Sequence, residues 1–197
     1  DWDRDSAGTP SGSTGPSSGH NSTYYIYTEA SSPNYPSKTA IFESPCFDLN
    51  STTAATFSFW YHMYGVEMGT LSVELSIDNG STYPTNLWSI SGNQGNTWTQ
   101  VSIDLTPYIG NTIKIRFRGV TNNGYRSDMA IDDISLTTPT PEINILGNSI
   151  ITIPDGSTTP SLSDKTDFGS VDFNTGATIK TFIIQNLGDT ALSIGSI

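Results

Sequence analysis

The sequence is short of cysteine, of basic residues and of long apolar runs, and each shortage narrows what the chain can be. Cys46 is the sole cysteine among 197 residues. No disulfide can form within the chain, so an extracellular life would rest on a packed core, a bound ion or neighbouring domains. Lysine and arginine number eight against nineteen acidic residues, a formal net charge of −11. Phosphate backbones are bound by basic faces, which argues against nucleic acid as a partner. An acidic surface is also repelled by anionic lipid. No apolar run approaches transmembrane length, and no targeting peptide is legible. Direct membrane insertion is therefore not expected. The chain opens on Asp1-Trp2-Asp3-Arg4-Asp5 and stops inside an alternating pattern at Leu192–Ile197, which reads as a piece of something longer.

What the sequence has is turn residues and alternation. Glycine, serine, threonine, asparagine and proline are abundant, as in all-β proteins with many turns. Residues 6–23 are a Ser/Gly/Thr/Pro-rich loop, and Tyr24–Glu29 and Lys38–Glu43 read as strands. Phe57, Phe59, Tyr61 and Met63 fall on one face of a strand whose other face carries Ser58, Trp60, His62 and Tyr64. Leu71, Val73, Leu75 and Ile77 repeat the period, as do Val101, Ile103 and Leu105, and Ile113, Ile115 and Phe117. Four such strands with one buried and one wet face argue a β-sandwich. A turn is expected at Asp78-Asn79-Gly80-Ser81. In Asp128–Leu136 the alternation slips, because Ile131 and the pair Ile134 and Leu136 have opposite parity. A bulge near Asp132-Asp133 would reconcile them. Thr137-Thr138-Pro139-Thr140-Pro141 reads as a linker, after which short strands resume at Ile143 and Ile145, Ile151 and Ile153, Phe168–Val171 and Thr178–Asn186. The expected organisation is a domain over 1–138, a linker at 139–141 and a second, incomplete β domain over 142–197.

The first segment resembles a MAM domain. The resemblance is carried by Phe57–Gly65, Gly69–Val73, Leu87–Trp98 and Ala130–Ile134, with Gly15-Pro16 and His20 resembling that family's opening loop. It implies an extracellular jelly-roll β-sandwich with a binding or adhesion role and no catalysis. Animal members usually carry disulfides, so this chain is more similar to the cysteine-poor modules of large secreted bacterial proteins. The second segment resembles the start of an immunoglobulin-like repeat of type IX-secreted surface proteins, through Glu142–Ile145, Ile153–Gly156 and Thr166–Val171.

Two candidate sites follow. Adjacent acids on an apolar strand are costly unless compensated. Asp132 and Asp133, with Asp3, Asp5 and Glu29, could supply the charged oxygens of a structural calcium ion, loop carbonyls completing the six to eight that calcium takes; solvated acids at strand ends are the bland alternative. The resemblance adds that MAM-like jelly rolls hold structural cations at a comparable place. Trp60, His62, Trp88 and Trp98 could form an aromatic surface for a glycan or protein ligand, or could be buried beneath a covering loop, since tryptophan is seldom left bare. Asp5-Ser6-Ala7 and Asp189-Thr190-Ala191 match a short bacterial O-glycosylation pattern at Ser6 and Thr190. Cys46, between Pro45 and Phe47, reads as a buried small residue. His20 and His62 lack metal spacing. No nucleophile elbow, zinc motif or phosphate loop is present, and Glu29, Glu43, Glu67 and Glu74 are too scattered to argue a glycosidase pair. The expectation is a non-catalytic adhesion or ligand-binding module, secreted or displayed at a cell surface, contacting an extracellular protein or glycan and the neighbouring domains of its own chain. The alternative is a carbohydrate-binding accessory module of a secreted polysaccharide-degrading enzyme or peptidase.

Overall fold

The computed structural model describes residues 1–140, 142–148, 150–170, 172, 174 and 176–195. The chain divides into two compact units, Asp1–Thr138 and Pro139–Ile197. The first is a jelly-roll β-sandwich. One sheet holds β1 (Trp2–Asp5), β2 (Tyr25–Thr28), β10 (Met129–Thr137), β5 (Thr56–Met63) and β8 (Gly95–Asp104), in the order β1-β2-β10-β5-β8. The facing sheet holds β3 (Thr39–Glu43), β9 (Thr112–Val120), β6 (Thr70–Ser76) and β7 (Thr85–Ser91) in that spatial order, with the short β4 (Phe47–Asp48) also on β9.

The alternation read from the sequence is the alternation that packs. Phe57, Phe59, Tyr61 and Met63 from β5 meet Leu71, Val73 and Leu75 from β6 and Ile113, Ile115 and Phe117 from β9 in one core. The Phe59 and Phe117 rings stand edge to face at 4.9 Å, a geometry favoured by the ring quadrupoles. Ile77 breaks the pattern, exposed just past the end of β6. Gly69 is required where β6 starts: a Cβ there would stand 1.9 Å from the Val120 carbonyl oxygen.

The expected bulge is present. The β10–β5 register shifts between Asp132 and Ser135, and Asp133 takes φ +47°. Before the shift Ile131 is fully buried, and after it Leu136 packs against the core, but Ile134 stays exposed. The N-terminal Trp2–Asp5 was not expected as a strand. Charged residues there disfavour one by propensity, but four register pairs with β2 and Trp2 packed on the core hold it. Cys46 is corrected: it is exposed, its Sγ donating to Asn79 Oδ1 at 3.0 Å, while its neighbour Phe47 turns towards the core. Period two along a short edge strand sends adjacent residues to opposite sides.

The second unit is a three-stranded antiparallel sheet of β11 (Ile143–Gly147), β12 (Ile151–Thr152) and β13 (Ile183–Asn186), in the order β12-β11-β13. The strand expected over Thr178–Asn186 is confined to its last four residues. Pro141 of the expected linker, Val171 of the expected Phe168–Val171 strand and the last two residues of the alternating tail lie outside the described residues.

The core argument sets a stability contrast. Phe59→Ala should destabilise the first unit by roughly 3–5 kcal/mol, whereas Ile77→Ala should stay within about 0.5 kcal/mol. Chemical denaturation followed by tryptophan fluorescence measures both; equal effects would contradict the packing.

Candidate functional site

The register of the β1-β2-β10-β5-β8 sheet places two cross-strand rows on the face that looks away from the core. Asp3 pairs with Tyr27, Tyr27 with Ala130, and Ala130 with His62. In the neighbouring row Asp5 pairs with Tyr25, and Asp132 pairs with Trp60, which pairs with Gln100. Asp3 and Asp5 thus lie at the β1 end of the face, and Trp60 and His62 towards the other end. Tyr25, Tyr27 and Ala130 form a second buried cluster here, with Trp98 packed against it.

The aromatic end is roofed by the loop that precedes β2. The His20 ring stacks on Trp60 at 3.6 Å, and Trp98 Nε1 donates to the Ser18 carbonyl at 3.1 Å. The paired aspartates hold this roof. The His20 backbone N–H donates to Asp132 Oδ2 at 2.8 Å; His20 Nδ1 lies 2.7 Å from Asp133 Oδ2, which also accepts from Asn21 Nδ2 at 3.1 Å. The bulge does turn both carboxylates to one place, but that place is the His20–Asn21 segment. When its imidazole is protonated, His20 also forms an ion pair with Asp133. His62 lies beneath, only 2 % exposed, with Nε2 2.9 Å from Asn96 Oδ1 and Nδ1 without a partner. Burial lowers its pKa below the ordinary histidine value, against the Asn96 hydrogen bond.

The four aromatic candidates are therefore not one surface. Trp60, His62 and Trp98 share the roofed face, but Trp88 points between the sheets, its ring 5.4 Å from Phe59 and 5.1 Å from Tyr61. Trp88 is corrected from a ligand-surface residue to a core-packing one: it sits on β7 opposite Val73, whose side chain is buried. Two of the arginines are engaged. Arg116 pairs with Glu74 at 2.7 Å and stacks over Tyr83, and the Arg126 guanidinium lies over Tyr125.

The acid set is rearranged relative to the sequence expectation. Asp3, Asp5, Glu29 and Asp128 each act on the Tyr27 phenol, raising its pKa beyond the effect of its burial. Asp132 and Asp133 are not with them; they are bound to the roof. The fourth acid is Asp128, whose side chain is fully buried. Its Oδ1 accepts from the Ala30 N–H at 2.8 Å, and its own N–H donates to Thr14 Oγ1 at 3.0 Å. Its Oδ2 has no partner, and neither does Glu29 Oε2, whose sister oxygen accepts from the Ser31 N–H. Burial pushes the Asp128 carboxyl up to about 6, against the lowering effect of the Thr9 side chain and of the Ala30 N–H bond, with the Glu29 charge adding to the rise. Among the described residues, no three of histidine, cysteine, aspartate and glutamate stand close enough to hold a metal by themselves. Backbone and hydroxyl oxygens would have to complete a shell around Asp128 and Glu29. The sequence signal for Asp128 was its even parity with Ala130 and Asp132, which puts it on the same face as Tyr27 one row further on. Ser6 and Thr190 are both partly buried; the Ser6 N–H donates to Asp5 Oδ1, and the Thr190 carbonyl accepts from Asn186 Nδ2.

Two outcomes test the roof. Because the folded-state pKa of His62 is depressed, the unfolded chain binds the proton more tightly, and stability contributed by neutral His62 is lost as pH falls through about 6.5 and below. Asp128, raised, works in the opposite sense. The stability difference between the parent chain and His62→Gln, measured from pH 7.5 to 5, should therefore narrow towards acid; a constant difference would contradict a buried neutral imidazole. His20→Ala should cost about 1 kcal/mol and red-shift tryptophan emission as Trp60 becomes wet.

Comparison with known proteins agrees with this architecture. The family model "MAM domain, meprin/A5/mu" matches residues 1–140. The rat MAM domain-containing glycosylphosphatidylinositol anchor protein 1 is 35% identical over 179 residues, covering 87% of this chain and 18% of that protein. The human MAM domain-containing glycosylphosphatidylinositol anchor protein 2 is 34% identical over 150 residues, 69% of this chain and 16% of its own length. The chain thus spans less than a fifth of these relatives. Among solved structures, the K1 cleaved adhesin domain of Lys-gingipain from Porphyromonas gingivalis aligns with 18% identity and a TM-score of 0.49, covering 69% of this chain and 89% of that one. On the family match over its whole first unit, the chain belongs to the MAM domain family.

Proposed function

We infer that the first unit is a non-catalytic extracellular module that binds a ligand or adheres to a partner, and that a structural cation stabilises it. MAM domains are extracellular modules that mediate interactions, and among the described residues no helix is long and apolar enough to cross a membrane. The observation that carries the non-catalytic reading is the fate of the polar side chains. Asp132, Asp133 and His20 are used to hold the roof, Glu74 to pair Arg116, and His62 to bond Asn96. Each is already bonded to another protein group, including Asp132 and Asp133, which border a hollow walled mainly by apolar side chains. Export to a bacterial surface, with an immunoglobulin-like second unit and glycans on Ser6 and Thr190, remains part of this reading on sequence resemblance. Beads coated with the chain test it: they should cluster, or attach to cells, in a manner blocked by the soluble chain, and turnover of a glycan or peptide substrate by the chain would overturn it.

The cation reading rests on the two buried oxygens without a partner, Asp128 Oδ2 and Glu29 Oε2. A buried carboxylate left unpaired is expensive, and calcium, a hard ion that takes carboxylate, carbonyl and hydroxyl oxygens, suits the donors present. Asp128 and Glu29 would hold it, with Asp3 and Asp5 adding negative potential from the adjacent strand. The ion would supply charge compensation, tying the start of the chain to β10 where no disulfide does so. Asp128→Asn gives a crossover. In calcium the parent should melt several degrees above the variant, because ligand binding to the native state stabilises it. In chelator at pH 7 the variant should equal or exceed the parent, since it buries no charge. Absence of any calcium effect on the parent would sink the cation.

A further inference from the structure

We propose that the sandwich takes an extended peptide strand of basic and apolar character along the free edge of β10, at the seam between its two sheets. β10 has nine residues; β5 pairs with it from Met129 to Thr137, but β2 pairs only with Ala130 and Ile131. β2 begins at Tyr25, and the chain before it leaves the sheet as the His20 loop, which bonds the Asp132 and Asp133 side chains. No strand of the first unit lies in the place that a longer β2 would occupy beside Ser135–Thr137. Ile134, at the start of this free edge, is 41% exposed. Across the seam β3 is also an edge strand, bonded to β9 on one side only, and its Phe42 is 39% exposed.

Ile134, at the start of the free edge, borders two hollows. One, of about 270 Å³, is lined by Arg4, Tyr24, Phe42 and Ile134, with Asp132 and Asp133 at its margin. The second, of about 160 Å³, runs inward between the sheets and is lined by Phe42, Pro45, Phe47, Ile115, Phe117 and Ile134. Phe42 and Ile134 belong to both. The combination is what strand addition uses: unpaired main-chain groups give affinity, and pockets for alternate side chains give specificity. An added strand would send one large apolar side chain into the inner hollow and keep the next at the rim. Charge selects the rest of the peptide. Arg4 is stacked on Tyr24 at 3.6 Å, the margin carries two aspartates, and the whole chain stands at −11. A peptide with lysine or arginine at its rim positions is steered in, and an acidic one is repelled. A glycan finds aromatic rings here but few hydrogen-bonding groups, since the walls of both hollows are mainly carbon.

The site deepens the ligand-binding reading above and rests on it. The test is a titration of the full chain with a nine-residue synthetic peptide alternating lysine with valine around one central phenylalanine. Saturable one-to-one binding is expected, with NMR contacts from peptide amides to Ser135–Thr137. Affinity should fall about tenfold or more when lysines become glutamates, and as much when alternate peptide nitrogens are methylated, which removes the edge hydrogen bonds but keeps the side chains. Ile134→Lys should abolish binding with an unchanged circular dichroism spectrum; should that variant unfold, the methylated peptide and the NMR contacts still decide. Equal binding of the methylated peptide overturns the proposal, as does binding of none of the peptides. Dimerisation of the chain in sedimentation, lost in Ile134→Lys, would make a second copy the occupant and overturn it too. Bead adhesion that persists when the peptides fail would leave the adhesion reading standing and remove only this site.

Discussion

Asp128 joins three segments that are remote in sequence, through its carboxylate and its own N–H. One oxygen receives the Ala30 N–H at the end of β2, and the residue's own N–H reaches Thr14 in the opening loop. These bonds span 98 and 114 residues, so they close the long loops of a sandwich whose neighbouring strands are mostly far apart in sequence. The adjacent Met129 N–H does the same to Thr28 Oγ1. Without these contacts the start of the chain would be an edge ribbon of charged residues, paired only with the short β2. The price is a buried oxygen without a partner beside a second carboxylate that is in the same condition. A protein without a disulfide has reason to accept that cost if an ion meets both oxygens, because ion and fold then depend on each other.

The opening loop shows how the same end of the molecule is closed a second time. Loops usually lie on the surface because their backbone groups need partners. Here the partners are supplied: Gly15 N–H goes to the Tyr64 carbonyl, the Gly8 carbonyl receives the Tyr25 hydroxyl, and the Ser18 carbonyl receives Trp98. With these bonds made, the loop can afford to cover aromatic rings. His20 then fills the stacking position over Trp60 that a ligand ring would otherwise take. The aromatic face and the acid pair are therefore one construction. Asp132 and Asp133 are held in the bulge by β10, and through His20 they keep Trp60 and Trp98 covered.

Much of the sandwich was legible because its physics is periodic. Phe57 to Met63, Leu71 to Leu75 and Ile113 to Phe117 declare their faces by alternation alone, and the parity conflict between Ile131 and Ile134 located the bulge. What was not legible is what alternation does not encode. Trp2–Asp5 is a strand through its pairing, not its composition. Trp88 and Trp98 look equivalent along the chain, yet one lies on the inner face of its sheet and the other on the outer face of the opposite sheet. Asp128 was outweighed by Asp132 and Asp133 because a pair of acids is conspicuous, whereas burial of a single acid is decided by Ala30 and Thr14, about a hundred residues away. Cys46 shows the converse error: apolar neighbours in sequence do not bury a residue when period two turns it outward.

The bulge also sets where the molecule can be extended. A register shift in β10 ends its pairing with β2 after Ile131, yet β5 follows it to Thr137. Had β2 continued, Ile134 and Phe42 would lie under a strand and the seam would be closed. Instead the residue that needs left-handed backbone, Asp133, anchors the roof on one side of the sheet, and Ile134, its neighbour, is turned to the open seam on the other. A long free edge is normally a liability that proteins blunt with charge or a bulge. Both devices are present here at Asp132-Asp133, and they protect the edge against indiscriminate pairing while leaving Ser135–Thr137 available. Selectivity for a basic strand follows from that arrangement, because the carboxylates that repel an acidic edge are the same ones that attract a cationic one.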